Sequence, residues 1–121
     1  MKKILLVEDD PFIVDIYANQ FRKEGFLIDT AKDGKMALEK LKNNYPDLLV
    51  LDIILPNMDG WELLRTIRSD QSLKNLKVII VSNLDKQEHL DDIAHLGVIK
   101  YFLKIQSTPE DIIKAVKEIL K

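Results

Sequence analysis

Five short apolar runs recur along the chain: ILLV at 4–7, FLI at 26–28, LLVL at 48–51, VIIV at 78–81 and YFL at 101–103. Each is continuous rather than alternating, which suits a parallel strand covered on both faces. The stretches after them carry apolar residues at helical spacing. The first predicted helix opens on Asp10-Pro11, a cap followed by proline at the first helical position, and it stops at Gly25. Its apolar face is Ile13, Ile16, Tyr17 and Phe21. The second follows Asp33-Gly34 and uses Ala37, Leu38 and Leu41; the third follows Asp59 and uses Trp61, Leu64 and Ile67. The fourth starts at Asp85 with Glu88 three residues on, a capping-box-like pattern. It is expected to bury Leu90, Ile93 and Ala94 and to end near Gly97. The fifth opens on Thr108-Pro109-Glu110-Asp111 and buries Ile112, Val116 and Ile119.

Strands and helices that alternate strictly predict an α/β fold: a five-stranded parallel sheet with right-handed crossovers and five helices spread over both faces. The strand order that fits is 2-1-3-4-5. In such sheets ligands sit outside the carboxyl ends of the strands, at the switch point between strands 1 and 3.

Composition narrows the picture. The chain has 121 residues, 46% of them hydrophobic, which fits one domain over 1–121. A domain this size buries roughly 65–70% of its unfolded surface and needs no covalent staple. With no cysteine, disulfides and thiolate metal sites are excluded, which suits a reducing cytoplasm. The net charge of -2, with both signs interspersed, offers no electrostatic footprint for nucleic acid. The N-terminal MKKILLVEDDP begins like a secretory leader, but its apolar run is four residues long before three acids follow. A leader core needs about 7–15 apolar residues. No run approaches the roughly 20 residues of a membrane span.

The strand ends carry the chemistry. Strand 1 ends in Glu8-Asp9-Asp10, strand 3 in Asp52, strand 4 in Ser82 and strand 5 in Lys104. The predicted order brings these acids together. Two carboxylates about 4 Å apart at an effective dielectric near 20 repel by roughly 4 kcal/mol, against a domain stability of about 5–15 kcal/mol. A raised pKa, a cation or Lys104 must offset that. Hard oxygen donors in a small wet cluster suit Mg²⁺. Carboxylate, cation, hydroxyl and amine together point to phosphoryl chemistry, in which a carboxylate attacks phosphorus and the positive groups neutralise the equatorial oxygens. Asp52, alone on its strand, is the expected nucleophile; the strand 1 acids are better placed as metal ligands. Ser82 can donate to a phosphoryl oxygen, and Lys104 can pair with the new charge of about -2. Asp10 reads as a helix cap and Trp61 as packing at the start of the third helix. His89 and His95 fall on the fourth helix, away from the strand ends, and read as surface or partner contacts.

The motifs ILLVEDDP, VLDIILPNMDGWELL, VIIVSN and YFLK, in this order and spacing, resemble the receiver domain of two-component response regulators over the whole chain. The resemblance implies a flavodoxin-like receiver fold and a phosphoacceptor switch rather than an enzyme. It implies that Asp52 is the phosphoacceptor, that Asp9 binds Mg²⁺ directly and Glu8 through water, and that the backbone carbonyl of Ile54 is a third protein ligand. Ser82 then matches the switch hydroxyl, Lys104 the site lysine and Tyr101 the aromatic switch. A histidine kinase, phosphotransfer protein or small phosphodonor would supply the phosphoryl group. The face of the fourth helix, fifth strand and fifth helix would shift to suit a downstream protein, an effector domain or a second copy.

Three departures stand out. Ile105 follows Lys104 where the family usually has proline, often after a cis bond; a cis bond before a non-proline residue costs roughly 2.5–4 kcal/mol, so a trans bond or a strained loop is expected, with consequences for the aim of Lys104. Asn83 is larger than the residue usual after the hydroxyl and narrows access to Asp52. Ile54 and Leu84 stand where polar side chains can orient a hydrolytic water, which predicts slow self-dephosphorylation. Three alternatives compete. An aspartate-nucleophile phosphohydrolase wants an acid at position 54; a flavin module wants a hydroxyl- and glycine-rich loop after strand 1; a receiver-like scaffold without phosphorylation would tolerate both Asn83 and Ile105.

Overall fold

Short polar side chains start the helices. The Asp10 carboxylate accepts the Phe12 N–H at 2.9 Å and opens α1 (Pro11–Lys23). Asp33 accepts from Met36 at the start of α2 (Gly34–Asn43), and Asp59 from Glu62 at the start of α3 (Gly60–Ser69). Thr108 and Asp111 exchange bonds in a capping box that opens α5 (Pro109–Ile119). These contacts come from a computed structural model that describes residues 1–121.

The strands β1 (Lys3–Val7), β2 (Leu27–Ala31), β3 (Leu48–Leu51), β4 (Val78–Ser82) and β5 (Lys100–Leu103) form one parallel sheet in the order β2-β1-β3-β4-β5. Side chains alternate across it. Leu5, Val7, Leu49, Leu51, Val78 and Ile80 pack on one face with Ala37 and Leu41 of α2 and Leu63, Leu64 and Ile67 of α3. Ile4, Leu6, Leu48, Val50, Ile79 and Val81 pack on the other with Tyr17 and Phe21 of α1 and Ile112 and Val116 of α5. The central strands β3 and β4 are buried along their whole length, as their unbroken apolar runs require.

The edges depart from expectation. Phe26 lies outside β2. Gly25, at φ +89°, closes α1 in the left-handed conformation, and the Phe26 N–H turns back to the Phe21 carbonyl at 3.1 Å. The two phenyl rings then meet edge to face, their centroids 5.9 Å apart. Strand β2 runs on to Ala31 and alternates, with Leu27 exposed, because an edge strand is covered less completely. Strand β5 has no fully buried residue for the same reason. On α1, Ile16 is 52% exposed and Ala18 takes the buried place.

The fourth helical segment differs most. Asp85 accepts the Gln87 N–H and opens a 3-10 turn, Lys86–His89, before the short α4 (Leu90–His95). Leu90 and Ala94, expected in the core, are exposed; between residues 84 and 99 only Leu96 is fully buried. Beyond it the backbone turns at Gly97, φ +65°. Arg68 braces that turn: its guanidinium donates to the carbonyls of Leu96 at 2.8 Å, Leu76 at 2.7 Å and Lys74 at 2.9 Å.

Candidate functional site

Register assembles the site. Val7 pairs with Leu51 in the sheet, so the next residue of each strand, Glu8 and Asp52, emerges on adjacent tracks. The Asp52 N–H continues the ladder to the Val7 carbonyl at 3.0 Å. Ser82 ends β4, and Lys104 follows β5 directly. The start of α3 is drawn tightly under β3 by Gly60, whose N–H donates to the Ile53 carbonyl at 2.8 Å. A Cβ there would stand 2.6 Å from the Asp52 carbonyl oxygen and 2.6 Å from the Ile53 Cα, so only glycine fits.

Lys104 holds the acids together. Its Nζ donates to Asp52 Oδ2 at 2.7 Å and to Glu8 Oε1. The three side chains are 13%, 6% and 3% exposed in the order Lys104, Asp52, Glu8. The other Glu8 oxygen accepts the Asp9 and Asp10 N–H groups at 2.9 and 3.2 Å, and Asp52 Oδ1 accepts the Ile54 N–H at 3.2 Å. Burial pushes the Glu8 carboxyl above its ordinary value, although the bond from Lys104 pulls the other way. Burial would lower Lys104, but the Asp52 and Glu8 carboxylates outweigh it and hold the amine above its usual value. Asp9 is exposed, and one carboxylate oxygen from each of Glu8, Asp9 and Asp52 lies within 4.8 Å of the others. Hard oxygen donors in this number, open to water on the Asp9 side, could hold a small divalent cation.

The remaining expected residues take definite places. Ser82 is fully buried, and its Oγ accepts the Leu84 N–H at 3.3 Å. The Tyr101 hydroxyl donates to the Leu84 carbonyl at 2.7 Å. Leu84 therefore joins Ser82 to Tyr101 through its backbone, a role that no pattern of side chains in the sequence signals. Burial raises the Tyr101 pKa. The side chain of Ile54 is 57% exposed beside Asp52. The Lys104–Ile105 peptide is trans, as is every other, and Lys104 still reaches Asp52. His89 lies in the 3-10 turn rather than on α4, and its ring stacks on Trp61 with centroids 5.1 Å apart. His95 ends α4, exposed and away from the acids.

The family model of the response regulator receiver domain matches residues 4–117. The chain belongs to that family. This receiver domain is 38% identical over 103 residues to the chemotaxis protein CheY-3 of Vibrio cholerae, covering 84% of this chain and 79% of that protein. It is 34% identical over 122 residues to the alkaline phosphatase synthesis transcriptional regulatory protein PhoP of Bacillus subtilis, covering 99% of this chain but 49% of PhoP. It thus spans about half the length of PhoP. A CheY-like response regulator receiver domain protein from Methanospirillum hungatei superposes with a TM-score of 0.90 at 30% identity, covering 99% of this chain and 94% of that one. Receiver domains of this kind are regulators and not classical enzymes. No helix of this one is long and apolar enough to cross a membrane.

Proposed function

We propose that this chain, as one receiver domain over 1–121, is a phosphoacceptor switch in which Asp52 takes a phosphoryl group. The observation that carries the reading is the Lys104 ammonium bridging two buried carboxylates, Asp52 and Glu8, beside the exposed acid Asp9. An Asp52 carboxylate oxygen attacks the phosphorus of a phosphohistidine or a small phosphodonor. The P–N or P–O bond to the donor breaks, its electron pair leaves with the donor, and an acyl phosphate forms on Asp52. The leaving group takes its proton from solvent or from the donor protein.

Glu8, Asp9 and Asp52, with the backbone carbonyl of Ile54, would hold Mg²⁺. When bound, that ion neutralises charge on the phosphoryl oxygens and orients the group. The chain's own residues do the rest. Lys104 releases Asp52 and pairs with the phosphoryl charge. Ser82 turns its hydroxyl proton to a phosphoryl oxygen. Drawing Oγ toward that oxygen weakens its hold on the Leu84 N–H, and Leu84 is also where the Tyr101 hydroxyl is anchored. A local charge thereby reaches Tyr101 on β5 and alters the face made by α4, β5 and α5. A histidine kinase or phosphotransfer protein is the proposed donor, a protein or effector domain that reads this face the proposed target, and the cytoplasm the setting.

Intact-mass spectrometry after treatment with acetyl phosphate and Mg²⁺ tests the reading. The expected result is an adduct of one phosphoryl group, absent without Mg²⁺ and absent in Asp52→Asn. A chain that stays unmodified is a receiver-like scaffold instead.

A further inference from the structure

Two residues that depart from the family pattern touch each other. The Asn83 side-chain Oδ1 accepts the backbone N–H of Ile105 at 3.1 Å. Each is the immediate neighbour of a site residue: Asn83 follows Ser82, and Ile105 follows Lys104. Ser82 pairs with Leu103 in the sheet, so the bond crosses between the loops that leave β4 and β5 side by side.

The contact answers a local deficit. Lys104–Gln106 form a single 3-10 turn, and its N-cap, Leu103, makes no side-chain capping bond. The leading N–H groups of such a turn have no partner within it. Asn83 supplies one from another loop. A proline at 105 would have no N–H to offer and would restrain the backbone through its ring. In this chain a hydrogen bond occupies the place of that restraint.

We propose that Asn83 is a positioning residue: by capping Ile105 it fixes the backbone at Lys104 and keeps the ammonium aimed at Asp52. The inference rests on the phosphoacceptor reading for its effect on rate, but not for the bond itself. Both residues are exposed, so the bond has the strength of an ordinary solvent-accessible one and its loss has a modest effect. Steric obstruction by Asn83 makes the opposite forecast. If bulk alone mattered, trimming it would open the route to Asp52 and speed phosphorylation.

The test is a set of four variants followed by three measurements. Asn83→Ala removes the acceptor and the bulk; Asn83→Leu keeps the bulk and removes the acceptor; Ile105→Pro removes the donor; the fourth combines Asn83→Ala with Ile105→Pro. Amide hydrogen exchange at Ile105 is expected to quicken about two- to tenfold in both Asn83 variants, the span of an ordinary hydrogen bond. Uptake of a phosphoryl group from acetyl phosphate with Mg²⁺ is expected to slow by a similar factor in both. In the Ile105→Pro background, Asn83→Ala is expected to add nothing. Unchanged Ile105 exchange, faster uptake in Asn83→Ala with Asn83→Leu like the parent, or additive effects in the double variant would each overturn the proposal. If the parent chain takes up no phosphoryl group, the phosphoacceptor reading falls. The positioning role is then decided by Ile105 exchange and by the Lys104 side-chain NMR resonances, which shift in both Asn83 variants if the aim of the ammonium depends on the bond and stay put if it does not.

Discussion

Lys104 is the residue on which the site's electrostatics turn. Without it, Glu8 and Asp52 would be two buried carboxylates with no opposite charge. Breaking a buried ion pair from one side typically costs about 3–5 kcal/mol. Lys104→Met is expected at the lower end, about 3 kcal/mol, because the Glu8 carboxyl is already raised and can take up a proton. Asp52→Asn removes repulsion as well as attraction and is expected to cost less. Urea unfolding of the two variants at neutral pH checks the order. Added Mg²⁺ is expected to restore more stability to Lys104→Met than to the parent, since the cation would replace the missing positive charge. Ile54 and Leu84 make a different forecast. Neither side chain can hydrogen-bond a water near Asp52, so the acyl phosphate is expected to be long-lived. Ile54→Asn is expected to shorten its life about five- to tenfold, the worth of one hydrogen bond to the attacking water; the decay of the phosphorylated mass with time measures it. The acids, hydroxyl and lysine were legible in the sequence because each ends an apolar run. The link through Leu84 was not, because it runs through backbone groups that every residue carries.

Among the elements, the junction of β3 and α3 is the tightest. Gly60→Ala would drive a methyl into the Asp52 carbonyl and the Ile53 Cα. A loss of about 1–3 kcal/mol is expected, the usual range for overpacking, with weaker Mg²⁺ binding because Asp52 moves with the junction. Thermal melts with and without Mg²⁺ separate the two effects. Helices α1, α3 and α5 begin where the sequence places them, and α2 one residue earlier, at Gly34, since a cap is a local device spanning three or four residues. The fourth helical segment resisted prediction. Its Asp85 and Glu88 look like a capping box, yet Asp85 opens only a 3-10 turn, and the weakly covered sheet edge leaves Leu90 exposed. Phe26 was misplaced in a strand because its apolarity serves the end of α1, where it meets Phe21.

At the scale of the whole molecule, stability should follow pH in two opposed ways. Asp33 is held below the ordinary carboxylate range first by the Met36 N–H and then by Asn57, and Asp111 by the Thr108 backbone and side chain. Their folded pKa values are depressed, so the stability they add is present above about pH 4 and lost as pH falls through the folded values. Lys104 is raised, so its contribution is present below about pH 10.4 and lost as pH rises through its folded value. Urea midpoints are therefore expected to drop at both extremes. Asp111→Asn, which cannot titrate, should flatten the acid limb and leave the alkaline one unchanged.

The sequence by itself determined the alternation of strands and helices, the caps, and the residue types at the strand ends, because apolar periodicity and capping act over a few neighbours. The family pattern could also be read there, since its motifs are short and ordered. Only the tertiary structure decided how completely each element is covered, which is why the edge strands and α4 departed from expectation. It alone joined Lys104 to both acids, Leu84 to Ser82 and Tyr101, and Asn83 to Ile105. Those contacts link residues far apart in the chain or groups without side-chain identity, and register and packing bring them within bonding distance only once the sheet has formed.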